Sequence, residues 1–235
     1  MIKNEGENMR VRKIGRKKHR VTIILLLLLC VVLISGGILV YPYIQRGYNM
    51  YSVAVESKTI DEAIQQIRDK DNYVTYEEIS QTYIKIMLKS EDRRFYFHNG
   101  FDPIATTRAM FNNIIAGRYV QGGSTLTQQL AKNMYFSFEK RIERKIAELF
   151  VVFQLENKLT KKEIIELYCN MAYFGQGCYG IQEAALHYYG VNASDLNKEQ
   201  SDALAFTLKS PENYNPNVLS GHNTISWFQV SPCYF

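Results

Sequence analysis

Residues 21 to 44 read VTIILLLLLCVVLISGGILVYPYI and contain no charged side chain. About 20 helical residues at ~1.5 Å each cover roughly 30 Å, the hydrocarbon thickness of a bilayer, so this stretch predicts one transmembrane helix. A secretory signal has a shorter apolar core, about 7–15 residues, before a small-residue cleavage site. Ser35-Gly36-Gly37 imitates such a site, yet the apolar run continues past it. An uncleaved span is therefore adopted over a cleaved signal or a buried core helix.

The flanks orient the span. Residues 1–20 hold eight Lys and Arg against Glu5 and Glu7, a net +6, while the whole chain carries +5. Everything after residue 20 thus sums to about −1, and the basic balance belongs to the tail. Cytoplasmic flanks are enriched in Lys and Arg, which predicts a cytoplasmic tail 1–20, a span 21–44 and an extracytoplasmic domain. The tail serves as a topology signal, so no nucleic acid partner is expected. Of the four cysteines, Cys30 lies in the span, leaving Cys169, Cys178 and Cys233 outside. An odd number implies no complete disulfide framework.

Beyond residue 57 the patterning is mostly helical. Thr75-x-x-Glu78 has the capping-box pattern and precedes Ile79, Tyr83, Ile84 and Met87 at helical spacing, predicting one helix that ends near Ser90. Asp102-Pro103 reads as an N-cap followed by a first-turn proline, with Gly117 as the stop. Thr125-x-x-Gln128 and Thr160-x-x-Glu163 cap two more helices. Between them, residues 140–158 are strongly amphipathic, and Ile142, Ile146, Leu149, Val152 and Phe153 are expected to form the buried stripe. GQGCYG at 175–180 has the G-x-G-x-x-G spacing of a dinucleotide site, but helix precedes it and no βαβ unit surrounds it. A tight interhelical loop with close backbone approach is expected instead.

Chemistry concentrates in three places. EDRRFYFHNGFD (91–102) packs acids, arginines, a histidine and aromatics together, and Glu91 follows an apolar helix. Such a helix end is either ordinary packing with a solvated rim or a site where a partly desolvated carboxylate has a raised pKa suited to proton transfer. GGSTLTQQLAKN (122–133) runs from a flexible loop into a helix start with Lys132, which is either a plain capped helix or a combination that suits a phosphate. Arg141, Arg144, Lys145 and Glu148 lie within about two turns of the 140–158 helix. Arg144 and Glu148 form an i,i+4 pair that is either a surface salt bridge or part of a diphosphate cradle. His19, His98, His187 and His222 are scattered, with no zinc-type spacing.

These segments, with RKIAELFVVFQLENKLTKKEIIELYCN, YFGQGCYGIQEAALHYYG and LKSPENYNP after them, resemble the peptidoglycan glycosyltransferases of glycosyltransferase family 51. The five blocks stand in the family's order over residues 75–216. The resemblance implies a mainly α, lysozyme-like two-lobed domain behind one N-terminal transmembrane helix, joined by a connector at 45–74. It implies polymerisation of lipid II, with inversion at the anomeric carbon and release of undecaprenyl diphosphate. By motif, Glu91 is the catalytic base and Glu148 the second glutamate. Lys132, Arg144 and Lys145 bind the donor diphosphate, and Ser124, Thr125, Gln129, Asn133, Asp92, Phe95 and His98 line the cleft. No cofactor is required by the sequence, and a divalent cation, Mg or Mn, is compatible with it. Implied partners are lipid II, the growing glycan strand, the plasma membrane and penicillin-binding proteins of the wall machinery.

With no transpeptidase domain following, the chain resembles a monofunctional biosynthetic transglycosylase. After Glu212 no Lys, Arg, Asp or Glu occurs through Phe235, so 217–235 departs from the family pattern. The alternatives are a lysozyme-like hydrolase or lytic transglycosylase, which has no use for a diphosphate site, and an inactive membrane-anchored scaffold.

Overall fold

The computed structural model describes residues 2–118, 120–136 and 141–221. A single helix, α1 (Ile2–Ser57), runs through the uncharged stretch with Pro42 inside it. From Ile23 onward it is long and apolar enough to cross a membrane. Leu25 to Leu29, Ile38 and Leu39 are 53–71% exposed, so this part covers none of its apolar surface with protein.

The rest is helical, and among the described residues only one isolated antiparallel bridge, Tyr173 with Tyr179, has β character. Capping explains many of the boundaries. Thr59 with Glu62 opens α2 (Ile60–Arg68), and Thr125 with Gln128 opens α5 (Leu126–Tyr135). Thr160 with Glu163 opens α7 (Lys161–Met171), and Asn197 with Gln200 opens α9 (Lys198–Thr207). Each such cap contributes about 1 kcal/mol by satisfying N–H groups that have no partner inside the helix. As expected, Asp102 caps α4 (Pro103–Ala116), and Gly117 stops it in the left-handed conformation. Gly190 ends α8 (Ile181–Tyr189) in the same way.

Two expectations need correction. Thr75 and Glu78 do form a capping box, but it closes only a 3₁₀ turn, Tyr76–Glu78. Ile79 then turns extended (φ −99°, ψ 133°), and α3 (Gln81–Glu91) restarts from Ser80. The cause is tertiary: Ser80 N–H donates to Ala193 O at 2.9 Å and its Oγ to Leu196 O at 3.1 Å, while Ile79 is 1% exposed. The break makes Glu91 the last residue of α3.

The second correction concerns α6 (Ile142–Lys158). Val152 is buried, but Ile142 is 63% and Phe153 51% exposed, and Ile146 and Leu149 are half-buried. The inward face is instead Arg144, Ala147, Glu148, Val151, Val152 and Leu155. α6 lies between the domain and α1, so its apolar stripe turns partly toward α1 and partly outward.

One core unites α2, α3, α5, α6, α7 and α8 around Tyr83, Met87, Leu130, Leu155, Ile164 and Phe174. Full burial of one such side chain contributes about 1.5–3 kcal/mol. α2 belongs to this core through Ile60, Ala63, Ile64 and Ile67. By contrast, α4 buries only Ala109. α10 (Pro211–Tyr214) and α11 (Pro216–Gly221) complete the described chain, and 222–235 of the atypical tail lies outside the described residues.

GQGCYG forms the expected interhelical loop. Gly175 has φ +85°, and a Cβ there would meet Pro211 O at 2.4 Å. Gly180, at φ +101°, would bring a Cβ 3.0 Å from Asn170 O. Only glycine tolerates both the conformation and the approach.

Candidate active site

Asp92 organises the entry to the site. Its carboxylate accepts from Leu126 N–H at 2.9 Å and faces His98 Nε2 at 3.0 and 3.1 Å. His98 Nδ1 accepts from Gly100 N–H at 3.1 Å, which assigns the ring proton to Nε2. Thr125 Oγ1 donates to Gly100 O at 2.6 Å, and Lys161 Nζ donates to His98 O at 2.8 Å while lying 4.4 Å from the centre of the Phe95 ring. Asp92 and Thr125 are buried, and Phe95 is 1% exposed. The polar groups of Asp92, His98 and Thr125 bond within the protein, so these residues clamp the end of α3 to the start of α5.

That clamp sets Glu91 against α5. Gln129 Nε2 donates to Glu91 Oε2 at 3.0 Å, and Tyr168 OH donates to Gln129 Oε1 at 3.1 Å. The tyrosine thereby fixes which end of the amide faces the carboxylate. Burial pushes Glu91 above the usual carboxylate range, and Asp92 adds to this, while the Gln129 bond, Lys209 and Lys132 oppose it. The result is a more basic carboxylate with its ionised form still supported.

Lys132 lies one turn along α5 from Gln129, with Asn133 half-buried beside it. Burial and the neighbouring Arg144 lower the Lys132 pKa, and Glu91 resists the change. Across from α5, Glu148 is fully buried. One of its oxygens bonds to Arg144 Nη1, and the other lies 2.8 Å from Lys145 Nζ, which also donates to Ser124 Oγ at 3.1 Å. Burial, then Arg144 and Lys132, push Lys145 down to about 8 despite that carboxylate. Glu148 is shared with Arg144, so one anion faces three cations and the group keeps a net positive charge.

The structure therefore brings Glu91, Gln129, Lys132, Arg144, Lys145, Glu148 and Ser124 into one connected set. It places Asp92, Phe95, His98 and Thr125 behind that set. Sequence reasoning missed two members, Tyr168 and Lys209. Both stand inside the quoted blocks, in IIELYCN and LKSPENYNP, but nothing local signals that either reaches Glu91. Among the described residues, no three His, Cys, Asp or Glu side chains come together as metal ligands.

A mainly helical domain with an apolar N-terminal helix, presenting a raised carboxylate beside clustered cations, narrows the class, and comparison with known proteins supplies the family. Residues 57–226 match the family model described as Transglycosylase, and the chain belongs to that family. Its lysozyme-like helical architecture agrees with the fold described above. A penicillin-binding protein 1A of Aquifex aeolicus is 44% identical over 144 residues, covering 61% of this chain. The match spans only 20% of that protein's length. A biosynthetic peptidoglycan transglycosylase of Dechloromonas aromatica is 35% identical, covering 77% of this chain and 78% of its own. A monofunctional glycosyltransferase of Staphylococcus saprophyticus is 38% identical, covering 74% and 66% respectively.

Proposed function

We propose that this chain is a peptidoglycan glycosyltransferase of cell wall synthesis that polymerises lipid II, with the domain outside the plasma membrane and the basic tail in the cytoplasm. The observation that carries the reading is the continuous set Glu91, Lys132, Arg144, Lys145: a proton acceptor next to a cradle for a diphosphate. The 4-hydroxyl of the acceptor sugar attacks the donor anomeric carbon. The new carbon–oxygen bond forms as the bond to the diphosphate breaks, and the hydroxyl proton passes to Glu91. Single displacement inverts the anomeric centre and needs no sugar–enzyme intermediate.

Charge grows on the departing undecaprenyl diphosphate, where Lys132, Arg144 and Lys145 stabilise it. Each charge-assisted hydrogen bond is worth about 1.5–3 kcal/mol. Glu148 positions Arg144 and Lys145, since both its oxygens are already taken by them. A divalent cation, where one takes part, would draw its ligands mainly from the diphosphate oxygens. Penicillin-binding proteins are the partners this role would bring.

The test is incubation of the full chain with lipid II in liposomes. Glycan polymer supports the proposal. Fragments released from finished glycan would make the protein a hydrolase, and no product from either substrate would make it a scaffold.

A further inference from the structure

The back of α6 carries a contact that the chemistry above does not use. Glu143, Ile146, Phe150 and Gln154 form a stripe along α6, and α1 lies on it. Arg46 Nε is 3.7 Å from Glu143 Oε1, the Tyr48 and Tyr51 rings each pack 5.3 Å from Phe150, and Gln154 Nε2 donates to Tyr51 OH. Pairing rises in step along both helices, so they run parallel, and the start of α6 lies level with Arg46.

At the centre stands Gly47, buried between exposed neighbours. A Cβ on it would lie 2.6 Å from both Cβ and Cγ2 of Ile146 and 3.0 Å from Glu143 O. Glycine inside a helix is destabilising relative to alanine, and here the close approach accounts for it. Gly36 and Gly37, farther up the same helix, meet nothing within 4 Å.

The register has a consequence for the site. No charged residue occurs between Arg20 and Arg46. Those 25 intervening residues of helix span roughly 37 Å, enough for the hydrocarbon core and part of one headgroup layer. With the basic tail in the cytoplasm, as proposed above, Arg46 would lie at the outer surface of the bilayer. Lys145 follows Glu143 by two residues, or roughly 3 Å along α6. The helix docked on one face of α6 would then hold the cations on its other face at headgroup level.

We infer that Gly47 is a positioning residue: the close α1–α6 contact it permits sets the height of the Arg144/Lys145 cluster, so that it meets a lipid-linked diphosphate at the bilayer surface. This rests on the functional reading above. A membrane-bound substrate offers its diphosphate at one depth only, so a rigid strut from span to cluster replaces a search with a fixed register.

Two variants of the full chain in liposomes test it. Gly47→Leu wedges the helices apart. Insertion of Gln-Ala-Gln-Ala between Gln45 and Arg46 keeps the contact but lifts the domain by about 6 Å. Each is assayed on membrane-embedded lipid II and on a short-chain, water-soluble analogue, with thermal melting alongside. Misplacement of reacting groups is costly, so both variants should lose about tenfold or more on embedded lipid II. Activity on the soluble analogue should stay within about twofold of the parent, and melting of the insertion variant should not change. If Gly47→Leu fails to fold, the insertion variant decides alone. Equal losses on both substrates, or no loss on either, would overturn the inference while leaving the functional reading intact. A parent chain that polymerises neither substrate would overturn the functional reading and this inference with it.

Discussion

Glu148→Gln separates the two glutamates. In the parent, Glu148 is 0% and Arg144 8% exposed, and the carboxylate neutralises a guanidinium with little water to replace it. The amide keeps the volume and can still accept one hydrogen bond, but its charge is gone and its nitrogen faces Lys145. Removing one partner of a buried ion pair costs about 3–5 kcal/mol, because the other charge stays buried without compensation. Lys145 is 44% exposed and can turn toward water, so the lower end of that range applies. For a domain of this size, about 3 kcal/mol lowers the melting temperature by roughly 6–12 °C. Calorimetry or circular dichroism reads the stability, and lipid II titration reads donor use, which should weaken as Arg144 loses its fixed position. A Glu148→Gln protein that melts with the parent yet loses turnover without loss of donor affinity would refute this reasoning and give Glu148 a role in the chemistry itself.

Glu91→Gln should behave in the opposite way. Polymerisation falls by at least about 10²-fold, the lower range of general-base help. Because the folded pKa of Glu91 is raised, its favourable contribution to stability is present below the ordinary carboxylate value near 4.5 and lost as pH rises through the folded value. At pH 7 the Gln variant should therefore melt no lower than the parent; a lower melting temperature there would contradict the assignment. In the pH profile of kcat/KM, the acid limb should stand above the ordinary carboxylate range, and an alkaline limb near 8 should mark loss of charge on Lys145. That limb should vanish in Lys145→Ala, which also weakens donor use. Tyr168→Phe frees the Gln129 amide to turn its oxygen toward Glu91, so the acid limb should move upward with little change in melting; an unmoved limb would remove Tyr168 from the site. For topology, protease added outside intact spheroplasts should cut the domain and spare the basic tail, and the reverse pattern would place the domain in the cytoplasm.

Much of this protein is legible locally. Helix starts at Thr125 and Thr160 follow from hydroxyl groups placed three residues before Gln or Glu, a relation that needs only one turn of chain. The apolar span needs only composition and length. The catalytic candidates Glu91, Lys132, Arg144 and Lys145 were identified because their motifs carry them in family order. Tertiary structure decided what lies beyond one turn. The helix expected to start at Thr75 breaks at Ile79 because Ser80 finds partners more than a hundred residues away, at Ala193 and Leu196. Asp92 and His98 were expected by resemblance to line the cleft; only folding brings the N-terminus of α5 to Asp92, where Leu126 N–H and the His98 ring meet its carboxylate. The amphipathic stripe of α6 pointed to one buried face, but the helix has neighbours on both sides, and the inward one buries Arg144 and Glu148. Tyr168 and Lys209 act on Glu91 only through folding. Periodicity reports which side chains share a face; which face meets the core, the anchor helix or solvent depends on contacts between segments far apart in the chain.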